Sequence, residues 1–177
     1  MVMLSPTADS YVDSENPTSV YGEDVFLISR FNSQTDRATQ PFLRFDLSLI
    51  PVGSSISEAT LKLNLKDMSG EKAVVVEAFR ATGDWDEQTL SWNTKPTGPG
   101  LGKTATISDN KGNKNVDLTS FVAGWLAGSY PNFGVFLDYN GKKTYSVVLN
   151  SREASKNHIW LSITPRRPAD PALRLSV

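Results

Sequence analysis

Phe42-Leu43-Arg44-Phe45-Asp46-Leu47 alternates strictly: Leu43, Phe45 and Leu47 share one face of an extended chain, and Phe42, Arg44 and Asp46 share the other. Successive side chains of a strand point to opposite faces, so this period of two predicts a strand with one face on a core. Leu61, Leu63 and Leu65 alternate in the same way with Lys62, Asn64 and Lys66. Further runs of strand character cover Val25 to Arg30, Ala73 to Thr82, Lys103 to Ser108, Val135 to Tyr139, Tyr145 to Asn150, His158 to Ile163 and Ala172 to Val177. Turn clusters such as Asn16-Pro17-Thr18, Pro51-Val52-Gly53 and Asn140-Gly141 punctuate them. Many short strands predict an all-β antiparallel sandwich or jelly roll. One short helix joins them: over Thr119 to Ala127, Phe121, Val122, Trp125 and Leu126 form one apolar stripe, with Asp117 or Thr119 to start it and Gly128 to stop it.

With 177 residues, no repeat and no low-complexity tract, the chain reads as a single domain over 1–177. There is no cysteine, which excludes disulfides, thiolate nucleophiles and cysteine metal sites. No window approaches the ~18 apolar residues needed to span a membrane. The first residues lack the charged start and apolar run of a signal peptide, as expected of an excised domain or a mature form. The formal net charge is only −1, but acids crowd the start (Asp9, Asp13, Glu15, Glu23, Asp24) and cations the end (Lys142, Lys143, Arg152, Lys156, Arg166, Arg167, Arg174). Either the two ends pair, or the end of the chain makes a locally positive surface. The overall balance is too neutral for a nucleic-acid binder.

Trp85-Asp86-Glu87-Gln88-Thr89-Leu90-Ser91-Trp92-Asn93-Thr94-Lys95-Pro96 sets two indoles in a polar loop, where they either pack over a core edge or offer a platform. This stretch resembles the W-x-E-x-x-x-x-W-x-x-x-P signature of the disaggregatase-related DNRLRE domains, also grouped as carbohydrate-binding module family 96. Ala8-Asp9-Ser10-Tyr11-Val12 with Tyr21-Gly22, Leu43 to Ser48, Val116-Asp117-Leu118-Thr119, Asn132-Phe133-Gly134, Asn150-Ser151-Arg152-Glu153 and Pro171 to Leu175 are similar to its other motifs, in order. The resemblance implies a jelly-roll module of extracellular, secreted proteins, fused to polysaccharide-degrading enzymes or surface proteins and often binding alginate. It also implies that Trp85, Trp92 and Trp125 serve packing, and that Glu87 holds its loop by accepting backbone hydrogen bonds. The chain departs from the family between Glu153 and Pro171, where Ala154 to Asp170 is longer than usual and carries His158-Ile159-Trp160.

Catalysis has little to draw on. His158 is the only histidine, and Asp84, Asp86 and Glu87, the best carboxylate cluster for glycoside hydrolysis, fall inside the structural signature. The expectation is therefore no enzyme. Asp9, Asp13, Glu15 and Asp24 offer oxygen ligands for a structural calcium but lack the spacing of a calcium loop, so no metal ligand is assigned and no cofactor is required.

Binding of an acidic polysaccharide has the better chemistry, because Arg meets a carboxylate bidentately, Lys adds charge and aromatic faces cover pyranose rings. Pairing of the two alternating strands would line Arg44, Lys62 and Lys66 along one exposed face with Phe42 among them, extended by Arg30 and Arg37. A second candidate surface combines Tyr139, Lys142, Lys143, Tyr145, Arg152 and Trp160, although Tyr139 and Tyr145 also read as a cross-strand pair about an Asn140-Gly141 hairpin. Ordinary solvated charge competes with both. A structural or adhesive domain without glycan affinity is the alternative function.

Overall fold

The computed structural model describes residues 1–98, 102–108, 112–139 and 141–166. Among the described residues, eleven strands and one helix follow in the order β1 (Val2–Leu4), β2 (Ala8–Asp13), β3 (Phe26–Asn32), β4 (Arg37–Arg44), β5 (Ser55–Gly70), β6 (Ala73–Arg80), β7 (Lys103–Ser108), β8 (Gly112–Asp117), α1 (Thr119–Leu126), β9 (Val135–Tyr139), β10 (Tyr145–Asn150) and β11 (Trp160–Arg166). The predicted strands and helix within these residues are present, except that the strand read over Phe42 to Leu47 ends at Arg44 and leaves Phe45, Asp46 and Leu47 beyond it; the predicted strand over Ala172 to Val177 lies outside them. All pairings are antiparallel, in the order β1-β11-β5-β10-β3-β4-β9-β6-β7, with β2 added to β4 and β8 to β5. The sheet curls on itself as an all-β sandwich of jelly-roll type.

Two strands organise the curl. β5 pairs with β8 along one edge, while β11 and β10 meet its other edge end to end. β4 likewise holds β2 on one edge and β3 followed by β9 on the other. Pro41, which has no N–H to donate, falls between the stretch of β4 paired with β3 and the stretch paired with β9. Leu43, Leu61, Leu63, Leu65, Val147, Leu149, Leu161 and Ile163 meet in the core between the two halves.

This topology corrects the pairing on which the first expected face depended: β4 and β5 are not neighbours. β4 also has no open solvent face near its C-terminal end, where Arg44 is only half-buried. Leu43 enters the main core, while Phe42, fully buried, joins a second cluster with Val12, Ala81, Trp85, Leu90 and Phe136. The Asn140-Gly141 hairpin is corrected too, since β9 and β10 pair with other strands and Asn140 itself lies outside the described residues. α1 closes one end with Phe121, Val122 and Trp125. Asp117 Oδ1 accepts the Thr119 N–H at 2.9 Å, Thr119 Oγ1 accepts the Ala59 N–H at 3.0 Å, and Gly128 at φ 68° ends the helix.

Candidate functional site

The tryptophan loop turns inward. Trp85 packs edge-on against Phe42 (centroids 5.7 Å apart) and donates from Nε1 to the Phe133 carbonyl at 2.8 Å. Arg44 lies over the same indole, 4.9 Å from its centroid, and bonds Asp84 Oδ1 at 2.5 Å and the Trp85 carbonyl at 2.7 Å. Arg44 is thus corrected from an exposed ligand contact to a strut of this loop. The guanidinium, with the Trp85 N–H, holds the Asp84 carboxyl below the usual carboxylate range. Glu87 accepts the Asp9 N–H at 3.1 Å, as the resemblance implied. Trp92 is half-buried with Lys95 over its ring at 4.5 Å.

Arg152 is the second correction. Its guanidinium bonds Glu87 Oε1, lies 2.7 Å from Glu153 Oε1 and 3.9 Å from Asp9 Oδ1, and donates to the Thr7 carbonyl at 2.8 Å. Asp9 of the acidic start and Arg152 of the basic end meet here, while Arg167 and Arg174 lie outside the described residues. Asp9 is only 1% exposed, and burial pushes its carboxyl up to about 8, the Glu153 charge adding to the shift while hydrogen bonding to the Arg152 N–H opposes it. Arg30 faces Asp13 and Glu15, each at 3.8 Å, and Arg37 donates to the Ser14 carbonyl at 3.0 Å. Neither joins Lys62. Tyr145 is 1% exposed and bonds Ser29 Oγ at 2.7 Å, so its ring belongs to the core; the half-buried Tyr139 lies against it at 4.3 Å.

Lys62 and Trp160 do come together on the outward face of β5 and its neighbours, and Lys66 stands farther along the same strand. Trp160 stands directly opposite Lys62 across the β11–β5 pair, and Asn115 opposes Lys62 from β8, so all three share a face. Asn64 lies next along that face. Asn150 Nδ2 donates to Asn64 Oδ1 at 2.8 Å, and Asn64 Nδ2 donates to Asn113 Oδ1 at 3.2 Å, making a row of amides across β10, β5 and β8. A register shift between Val148 and Leu149 leaves Lys66 as the extra residue of a β-bulge. Its ammonium reaches over Phe26, 4.9 Å from the ring centroid.

Beside Lys66 opens a cleft of about 430 Å³, floored by Phe26 and Asn150 and walled by the 153–157 loop with Glu153, Lys156 and Asn157. The wall is fastened from behind, because Arg152 and Glu153 join the ion cluster with Asp9 and Glu87. The longer segment flagged in the sequence supplies this loop and then β11, so Trp160 opens a strand and still faces outward. The asparagines were missed. Their signal was available at Asn64, between two outward lysines, but a neutral amide on a solvent face carries no charge pattern to single it out.

Cations, aromatic rings and amides side by side can meet carboxylates, pyranose faces and hydroxyls. His158 packs edge-on against Trp160 and contacts the Ser151 carbonyl at 3.4 Å. Among the described residues, no group of three or more His, Asp or Glu side chains is arranged to hold a metal ion, and no helix is long and apolar enough to cross a membrane.

The sequence profile of carbohydrate-binding module family 96 matches residues 1–165. Among curated relatives, the chain is 26% identical over 187 residues to the tRNA3(Ser)-specific nuclease WapA of Bacillus spizizenii, covering 97% of this chain and 8% of that protein. It is 27% identical over 175 residues to the tRNA nuclease WapA of Bacillus subtilis strain 168, covering 91% of this chain and 7% of that protein. The chain therefore spans under a tenth of the relatives it matches.

Proposed function

This chain belongs to carbohydrate-binding module family 96, and on that premise we propose that it is a non-catalytic, secreted module recognising an acidic polysaccharide, with alginate the first candidate. The observation that carries the acidic preference is the outward face on which Lys62 and Lys66 flank the Asn113–Asn64–Asn150 row, with Trp160 and Phe26 alongside. Lysine ammonium groups meet uronate carboxylates, the amides meet hydroxyls, and the rings cover sugar faces. No cofactor takes part. The module serves as one part of a longer chain, tethering the rest to its polymer.

Affinity electrophoresis through gels holding alginate, pectin, a neutral glucan or no polymer tests this. Retardation by an acidic polymer alone, relieved by salt because exposed charges are screened, is expected. Lys62→Ala with Lys66→Ala should abolish it without lowering the melting temperature. Retardation by the neutral glucan alone would refute the acidic preference.

A second reading has its own support. The residues of the family signature are spent on internal contacts, and the relatives are long proteins named as nucleases rather than as polysaccharide-degrading enzymes. On this reading the module is a structural or adhesive unit of a surface protein, and its mobility is equal in every gel.

A further inference from the structure

We infer that this face binds an internal stretch of the polymer lying along β5, through two cation–aromatic subsites separated by the amide row. The inference rests on the acidic-polysaccharide reading and adds how the chain is held. One subsite is Lys66 with Phe26, inside the cleft walled by the 153–157 loop. The other is Lys62 with Trp160, opposed across the β5–β11 pair. Each therefore offers a carboxylate partner next to an aromatic face.

The separation decides the mode of binding. Four residues of strand, less the shortening at the Lys66 bulge, place the Cα atoms of Lys62 and Lys66 at most about 13 Å apart at ~3.3 Å per residue. With Lys66 drawn aside over Phe26 and Lys62 set opposite Trp160, each ammonium group serves its own subsite, and a chain engaging both does so through carboxylates on different sugars. Asn64 lies between the lysines, and its amide is held by Asn150 on one side and Asn113 on the other. The sugars that bridge the two subsites thus pass over groups able to bond hydroxyls. The cleft is of the size that holds a small ligand, and beyond it the β5 face continues toward Trp160, which favours internal segments over chain ends.

Calorimetry with saturated di-, tetra- and hexauronates and with the polymer reads this directly. Affinity should rise with length until both subsites are spanned and then level off. Lys62→Ala should cost roughly tenfold, the scale of one hydrogen bond to a charged group, for the hexamer and leave the dimer unchanged. Lys66→Ala should weaken every length. Equal affinity from dimer to polymer, or a Lys62→Ala loss that is the same for dimer and hexamer, would overturn the two-subsite arrangement while leaving acidic-polymer binding intact. A wild-type module that binds no acidic polymer would overturn both.

Discussion

Arg152→Met separates a ligand contact from a structural hub. The substitution keeps an apolar stem of similar length and removes the charge that faces Glu87, Glu153 and Asp9. Asp9 is 1% exposed, and the side chains of Glu87 and Glu153 are 15% and 25% exposed. Arg152 itself is 31% exposed, so stripping the cation from this partly buried cluster costs less than from a fully buried pair, at most about 3–5 kcal/mol. That is a large share of the ~5–15 kcal/mol that keeps a domain folded. For a chain of this length it lowers the melting temperature by at most roughly 6–20 °C.

The pH dependence supplies a second signature. The folded-state pKa of Asp9, pushed up to about 8 by burial, lies above its unfolded value. Its contribution is therefore complete below the unfolded pKa of about 3.9, and fades as pH rises through about 8. Wild-type stability should fall between pH 5 and pH 9, by at most about 1.4 kcal/mol per pH unit for one proton. Removing the guanidinium takes away one influence that favours the Asp9 anion, so the penalty in Arg152→Met should be larger at pH 8.5 than at pH 5.5. Calorimetric melts of both proteins at the two pH values measure it. A loss below about 1 kcal/mol at both, joined to weaker uronate binding, would refute the hub and restore Arg152 as a ligand residue.

Arg44→Ala should destabilise by about 1–2 kcal/mol, through the lost bond to the Trp85 carbonyl and the lost guanidinium–indole contact. Thermal melts followed by tryptophan fluorescence check this, and uronate affinity should not change. Gly134→Ala should cost at least about 2 kcal/mol, because φ 81° is unfavourable to any side chain and a Cβ there would run into the Leu43 carbonyl; a reduced denaturant midpoint is the readout.

Period-two alternation made the fold class legible where a strand has one face in and one out: Tyr145–Asn150, with alternating burial, matches its predicted bounds. Strands whose stability comes from partners were not legible. β8 reads Gly-Asn-Lys-Asn-Val-Asp, poor in strand formers, and exists by lying along β5. In β2, Asp9 to Asp13 are all buried, so no alternation was visible. The site was legible in part for the same reason. Lys62 and Lys66 were chosen as outward residues on sound local grounds, and Trp160 for its aromatic chemistry. Arg44 was chosen by the same rule and failed, because a loop some forty residues later covers that side of β4. Local periodicity says which way a side chain points, but not what arrives there.

That failure has a physical corollary for how such modules diverge. Glu87 joins the tryptophan loop to β2, Arg44 joins it to β4, and Trp85 joins it to the segment before β9; Asn132 bonds the Phe45 carbonyl, and Gly134 leaves room for the Leu43 carbonyl. Each ties together segments far apart in the chain, so replacing one leaves a buried polar group or a steric clash elsewhere, and each is costly to change. Lys62, Lys66, Asn64, Asn113 and Trp160 stand on an outward face where substitution costs little stability. Ligand preference can therefore drift while the locks stay put. On the proposed reading, the signature specifies the scaffold and the β5 face is free to set the ligand.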